Sequence, residues 1–259
     1  MRNLLDQLGK LEKRLRSGVM LLMDYDGTLT PIVKRPELAV LSSDMKVLLK
    51  SMVEHFKIAI ITGRSLEEVK KMVGLKGIYH AGNHGLEIEG PGVSYLRPEA
   101  EHFRHIISEI CRMLQMRLEK IEGSIVENKG LTGSVHYRLV MRGHVGTMKE
   151  IFREVVKPYL TSGEVRVTRG KKVLEIRPSV DWDKGKAVLW ILDVVDPRRK
   201  LIPIYLGDDR TDEDAFLVLK GKGLGVLVSE REKKTQAKFF LRDVDEVKSF
   251  LEKLKVIIK

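Results

Sequence analysis

The chain has 259 residues, 43% hydrophobic and 32% charged, enough for a substantial core and too apolar for a disordered segment. Its net charge is +11, but Lys and Arg are spread among glutamates along helical patterns, with no basic block interleaved with aromatics; an anionic small molecule is the expected partner, not nucleic acid. The single cysteine, Cys111, excludes an internal disulfide, and no apolar run approaches the roughly 20 residues of a bilayer crossing, so a cytoplasmic protein without a membrane partner is expected.

The chain opens on a charged amphipathic helix rather than a signal peptide, with Leu4, Leu8, Leu11 and Leu15 on one stripe. Then come short apolar runs that end in polar loops: "GVMLLMDYD", "FKIAIITGR", and later "LIPIYLGDD" and "GLGVLVS". Such runs suit strands buried on both faces of a parallel sheet. Helical stretches separate them. "SSDMKVLLKSMVEHF" is expected to be capped by Ser43 or Asp44, and "SLEEVKKMVG" runs from Ser65 to Gly74. "KGKAVLWILDVV" and "TDEDAFLVLKGKG" are further helices. The alternation predicts an α/β fold: a doubly wound, mostly parallel Rossmann-like sheet whose ligands sit at the carboxyl ends of the strands.

The pattern changes over residues 90–177 to helix then hairpin, twice. "EAEHFRHIISEICRMLQMRLEKIEG" reads as one long helix, followed by strands around "KGLTG". A second helix ends near Pro158, and a second hairpin turns at Arg169-Gly170. This predicts a smaller inserted α+β domain, with 1–89 and 178–259 forming the core. In its strands Glu127 and Lys129, His136 and Arg138, and Glu175 and Arg177 are each two apart and share a face. Val135, Tyr137 and Leu139 are expected on the opposite, apolar face.

Asp24 and Asp26, also two apart, directly follow a buried strand. Carboxylates sharing a site split their proton affinities, giving a nucleophile and an acid/base, and a hard divalent cation such as Mg2+ would relieve their repulsion. Asp208 and Asp209 follow a second such strand, whereas Asp212, Glu213 and Asp214 are also explained as complements to a helix dipole. Thr62, before a helix start, is placed to hold a phosphate. Lys184 lies at a helix start, where a cation is unfavourable unless it serves an anion. Asn83 and His84 sit in a Gly-flanked loop that reads equally as a tight turn with a solvated His or as a substrate contact.

"DYDGTLT", "ITGRS", "DWDKGKA" and "YLGDDRTDEDAF" occur in the order of the motifs of the haloacid dehalogenase superfamily of phosphatases. With "GNHG", "ENKGLTGSVHYR" and "EIRP" the chain, from about Leu21 to about Leu251, resembles its trehalose-6-phosphate phosphatase branch. The resemblance implies a Mg2+-dependent phosphatase of a small sugar phosphate. Asp24 would be the nucleophile that forms a phosphoaspartyl intermediate, and Asp26 would protonate the leaving oxygen and then activate water. Thr62 and Lys184 would bind the phosphoryl oxygens, and Asp208 would ligate the metal with Asp24 and the Asp26 carbonyl. Asp209 and Asp212 would support Lys184 and the metal's waters. The insert would be a cap whose Glu127, Lys129, Glu175, His136 and Arg138 hold the distal sugar. Competing readings are a phosphatase of sucrose 6-phosphate or mannosyl-3-phosphoglycerate, or a non-catalytic binder on this fold. The oligomeric state is left open, a monomer being compatible with the sequence.

Overall fold

The computed structural model describes residues 1–258. It contains strands β1 (Arg2–Asn3), β2 (Val19–Met23), β3 (Lys57–Ile61), β4 (Tyr79–Gly82), β5 (Glu87–Gly90), β6 (Val93–Leu96), β7 (Ile125–Asn128), β8 (Gly133–His136), β9 (Val165–Gly170), β10 (Val173–Pro178), β11 (Ile202–Gly207), β12 (Leu224–Val228) and β13 (Phe239–Leu241). Its helices are α1 (Leu8–Leu15), α2 (Ser43–Met52), α3 (Leu66–Val73), α4 (Pro98–Glu101), α5 (Arg104–Leu118), α6 (Val145–Thr161), α7 (Lys184–Val195), α8 (Glu213–Val218) and α9 (Val244–Ile258). The chain divides into two compact units, Leu96–Asp181 and the flanking segments Met1–Tyr95 and Trp182 onward.

The larger unit holds a nine-stranded sheet in the order β1-β13-β12-β11-β2-β3-β4-β5-β6. Pairing is parallel from β1 to β4, and β5 returns antiparallel to β4. The fold is therefore the expected mostly parallel α/β sheet with a separate small sheet. Every residue of β2 and of β11 is buried, which is why both read as unbroken apolar runs. Leu21 and Met23 of β2 pack into one core with Met45 and Leu49 of α2 and Phe250 and Leu254 of α9. Register places Leu206 of β11 and Ile60 of β3 on either side of Met23, so the residues following all three strands emerge at one edge.

Helix starts follow local polar chemistry. Ser42, not Ser43 or Asp44, caps α2: its backbone is extended and its hydroxyl accepts the Met45 N–H. The Ser65 hydroxyl accepts the Glu68 N–H, and Gly74 closes α3 in the left-handed region at φ 57°. Asp183 caps α7 through the Lys186 N–H at 2.8 Å, which makes Lys184 its first residue.

The Leu96–Asp181 unit holds a four-stranded antiparallel sheet, β7-β8-β10-β9. Val135, Leu174 and Ile176 pack against Ile107, Ile110 and Leu114 of α5 and Met148 and Phe152 of α6. Three expectations are corrected. The long helix is broken before Arg104, because the Phe103 N–H bonds back only three residues to the Ala100 carbonyl and restarts the helix. The second hairpin turns at Lys171-Lys172, with Lys172 at φ 68°, because Gly170 is still paired with Val173. Leu139 is exposed rather than on the apolar face, because β8 ends at His136 and the alternation stops there.

Candidate active site

The Asp24 N–H donates to the Leu206 carbonyl at 2.9 Å, beyond the last paired residues of the β2–β11 ladder. Asp24 and Asp208 thus lie at neighbouring strand ends, and Thr62 follows the strand on the other side of β2. All three are buried. The loop after Asp24 folds tightly, with the Gly27 N–H on the Thr30 carbonyl at 2.7 Å. Gly27 has φ +85°, and a Cβ there would lie 2.3 Å from the Asp208 carboxylate. The D-x-D-G spacing therefore serves a close approach of backbone to Asp208 as well as a turn.

Lys184 is buried, and its ammonium lies 2.9 Å from Asp24 Oδ1 and 2.8 Å from Asp212 Oδ1. These carboxylates explain a cation in the first turn of α7. Burial acts to lower the Lys184 pKa, but Asp212 and Asp24 outweigh it and hold the amine well above the usual lysine range. Burial, countered by Lys184 and reinforced by Asp212, Asp208 and Asp209, pushes the Asp24 carboxyl well up. Asp24 is thus a buried acid whose ionised form calls for more positive charge than Lys184 supplies.

Asp212 is the organising residue. Its Oδ1 accepts the Tyr205 hydroxyl at 2.7 Å as well as Lys184, and its Oδ2 accepts the Asp208 and Asp209 N–H groups at 2.9 Å each. Asp209 caps the following 3-10 turn, accepting the Thr211 N–H at 2.7 Å. One carboxylate oxygen each from Asp24, Asp208 and Asp212 lies within 4.8 Å of the others. Asp212 already accepts four hydrogen bonds, two on each oxygen, which leaves Asp24 and Asp208 as the candidates to hold a cation. Buried hard oxygens with excess negative charge match the needs of Mg2+.

The second aspartate turns another way. The Asp26 carboxylate is gripped by Arg64, Nε to Oδ2 at 2.7 Å and Nη2 to Oδ1 at 2.8 Å. Asn83 and His84 form a buried turn just after β4, within the larger unit, both with positive φ. His84 is therefore not a solvated loop residue; its N–H donates to the Thr62 carbonyl at 2.7 Å, and the Asn83 N–H donates to the Arg64 carbonyl at 2.6 Å.

In the smaller unit, Glu127 of β7, Ser134 of β8, Glu175 of β10 and Thr168 of β9 are successive cross-strand partners, forming one polar row. Lys129 lies 3.9 Å from Glu127 and 3.5 Å from Glu175, and His136 Nε2 is 3.0 Å from Glu127 Oε2. Arg177 donates to Glu175 at 2.8 Å. Arg138 does not join them: it lies past the end of β8, exposed, and donates to the Lys171 carbonyl.

Sequence reasoning missed Arg64, Tyr205 and Lys233, whose amine donates to the Asp208 carbonyl at 3.3 Å. Arg64 lies in the "ITGRS" stretch, but only the fold brings it to a carboxylate 38 residues away. Tyr205 read as one more apolar strand residue.

Asp24 and Asp208 at the carboxyl ends of adjacent parallel strands, with Lys184 reaching Asp24 from the first turn of α7, form the site arrangement of a hydrolase of the haloacid dehalogenase-like class. Comparison narrows the class. The chain belongs to the trehalose-phosphatase family, whose sequence profile matches residues 22–245. It is 41% identical over 253 residues to a trehalose 6-phosphate phosphatase of Zea mays, covering 91% of this chain and 69% of that protein. It is 39% identical over 249 residues to trehalose-phosphate phosphatase B of Arabidopsis thaliana, covering 91% and 66%. Among solved structures it is similar to the C-terminal domain of the C. albicans trehalose-6-phosphate phosphatase, with TM-score 0.79, 25% identity and coverage of 96% and 98%. A trehalose-6-phosphate phosphatase related protein gives TM-score 0.79 at 26% identity, covering 92% of this chain and 97% of that one. Among the described residues, no helix is long and apolar enough to cross a membrane.

Proposed function

We propose that this enzyme is a Mg2+-dependent phosphatase that hydrolyses trehalose 6-phosphate through a phosphoaspartyl intermediate on Asp24. The observation that carries the reading is the buried Asp24–Lys184 contact at the strand edge beside Asp208. A carboxylate nucleophile held against an ammonium sits where a phosphoryl group and its charge are best accommodated.

In the first half-reaction an Asp24 oxygen forms a bond to phosphorus while the phosphorus–oxygen bond to the sugar breaks. Asp26 gives its proton to the departing sugar oxygen. In the second, water attacks the phosphoaspartate, the Asp24–phosphorus bond breaks, and Asp26 takes the water's proton. Lys184 and Thr62 hold the phosphoryl oxygens. Asp24, Asp208 and the Asp26 carbonyl would hold Mg2+, whose charge offsets the phosphate and the crowded carboxylates. Asp212, through Tyr205 and two backbone N–H groups, keeps Lys184 aimed at Asp24.

The inserted unit is proposed as the specificity domain. Its support is the polar row of Glu127, Ser134, Glu175 and Thr168 with Lys129 and His136 beside it, a face of mixed donors and acceptors suited to sugar hydroxyls. Asn83 and His84 are proposed as further substrate contacts. Trapping tests the mechanism: protein quenched in acid during turnover should carry a hydroxylamine-labile phosphate that Asp24→Asn lacks. A labile phosphate of equal yield in Asp24→Asn contradicts it.

A further inference from the structure

We propose that Arg64 is the positioning residue for Asp26, fixing the direction of the acid/base carboxyl; this rests on the reading of Asp26 given above. Asp26 lies in the loop beyond β2 with 39% of its side chain exposed, and its carboxylate is held by the two hydrogen bonds from Arg64. Arg64 is the opposite case, with its side chain 7% exposed and each guanidinium nitrogen engaged. Besides the two bonds to Asp26, Nη1 pairs with Glu68 of α3 and Nη2 donates to the Pro36 carbonyl at 2.9 Å. The guanidinium carbon also stands 5.5 Å from the centre of the Tyr25 ring.

Arg64 thus joins three segments, the Asp26 loop, the start of α3 and the chain before Leu38. The planar fork holds the carboxylate through both oxygens and so fixes its plane, which a single-point ammonium cannot do, and one of the two bonds gives way when Asp26 carries the proton it donates. The same loop carries Thr62, whose hydroxyl accepts the Arg64 N–H at 3.3 Å. The residue proposed to hold the phosphoryl group and the residue that aims the acid are therefore set by one turn of backbone. Misdirecting a catalytic group by about an ångström is enough to cost a large factor in rate.

The test compares leaving groups in a single turnover. Trehalose is a poor leaving group that needs a proton, whereas p-nitrophenolate leaves without one. Arg64→Ala should slow trehalose release from trehalose 6-phosphate roughly 100-fold, the scale of general acid catalysis, while p-nitrophenol release from p-nitrophenyl phosphate changes less than about threefold. Asp26→Asn should show the same contrast, and the double variant should be no slower than Asp26→Asn. Arg64→Lys, which keeps a cation beside Glu68 but not the fork, provides the same reading if Arg64→Ala fails to fold. Equal slowing of both substrates, or of neither, in the Arg64 variants while Asp26→Asn shows the contrast overturns the role of Arg64. Absence of the contrast in Asp26→Asn overturns the acid role of Asp26, and the inference with it.

Discussion

Lys184 and Asp24 meet at 2.9 Å in a site where both are buried, and Asp212 contacts the same ammonium at 2.8 Å. Removing the amine leaves two buried carboxylates facing each other. Lys184→Met should destabilise the metal-free protein by about 3–5 kcal/mol, the usual result of breaking a buried pair, and reduce phosphate release to background. Calorimetry and a phosphate assay check both effects. Unchanged activity in a folded variant would contradict the placement of the phosphate beside Lys184.

Tyr205→Phe removes one hydroxyl from the Asp212 carboxylate without changing the packing of the ring against Phe216. A hydrogen bond to a charged group is worth about 1.5–3 kcal/mol, and the urea midpoint should fall accordingly. Turnover should fall with it, because Asp212 loses one of the contacts that orient it towards Lys184. A stability loss without any change in turnover would limit Tyr205 to a structural role.

The strand-end positions of Asp24, Thr62 and Asp208 were legible because each follows a strand buried on both faces, and such strands appear as unbroken apolar runs. Lys184 was legible because a cation in the first turn of a helix conflicts with local preference. Arg64 and Tyr205 were not, because their importance lies in partners that only the tertiary fold supplies. Strand ends in the smaller unit were also hidden: nothing in "GSVHYRLV" marks His136 as the last paired residue, so the alternation runs on through Arg138 and Leu139 although the strand has ended. The edge pairing of β1 with β13 rests on two residues and carries no periodicity to read.

His80 gives a pH signature outside the site. Burial, with the Lys70 cation adding to it, lowers its pKa from 6.5 to about 4 against the opposing pull of Glu89 and the Ile78 backbone. Between those values the unfolded chain binds a proton that the folded chain does not. Stability present above pH 6.5 is therefore lost as the pH falls towards 4, with a ceiling of roughly 3 kcal/mol. Melting temperatures across this window should fall less steeply for His80→Gln than for the wild type. Equal slopes would show that other groups carry the effect.

Glu175 offers a way to test the proposed sugar recognition apart from the chemistry, since it meets Lys129, Arg177 and Thr168 within the smaller unit. Glu175→Gln weakens a charged acceptor at that face. The kcat/KM for trehalose 6-phosphate should drop about ten- to a hundredfold, the equivalent of one charged hydrogen bond, while that for p-nitrophenyl phosphate stays unchanged. A parallel drop for both substrates would place the fault in folding or chemistry.

The most direct measurement is phosphate release by the wild type and Asp24→Asn from trehalose 6-phosphate, sucrose 6-phosphate, mannosyl-3-phosphoglycerate and glucose 6-phosphate, each with Mg2+ and with chelator. The expected result is the highest kcat/KM on trehalose 6-phosphate, dependence on Mg2+, and no turnover by a folded Asp24→Asn. A better substrate elsewhere in the panel would contradict the assigned sugar, and near wild-type turnover by Asp24→Asn would contradict the mechanism itself.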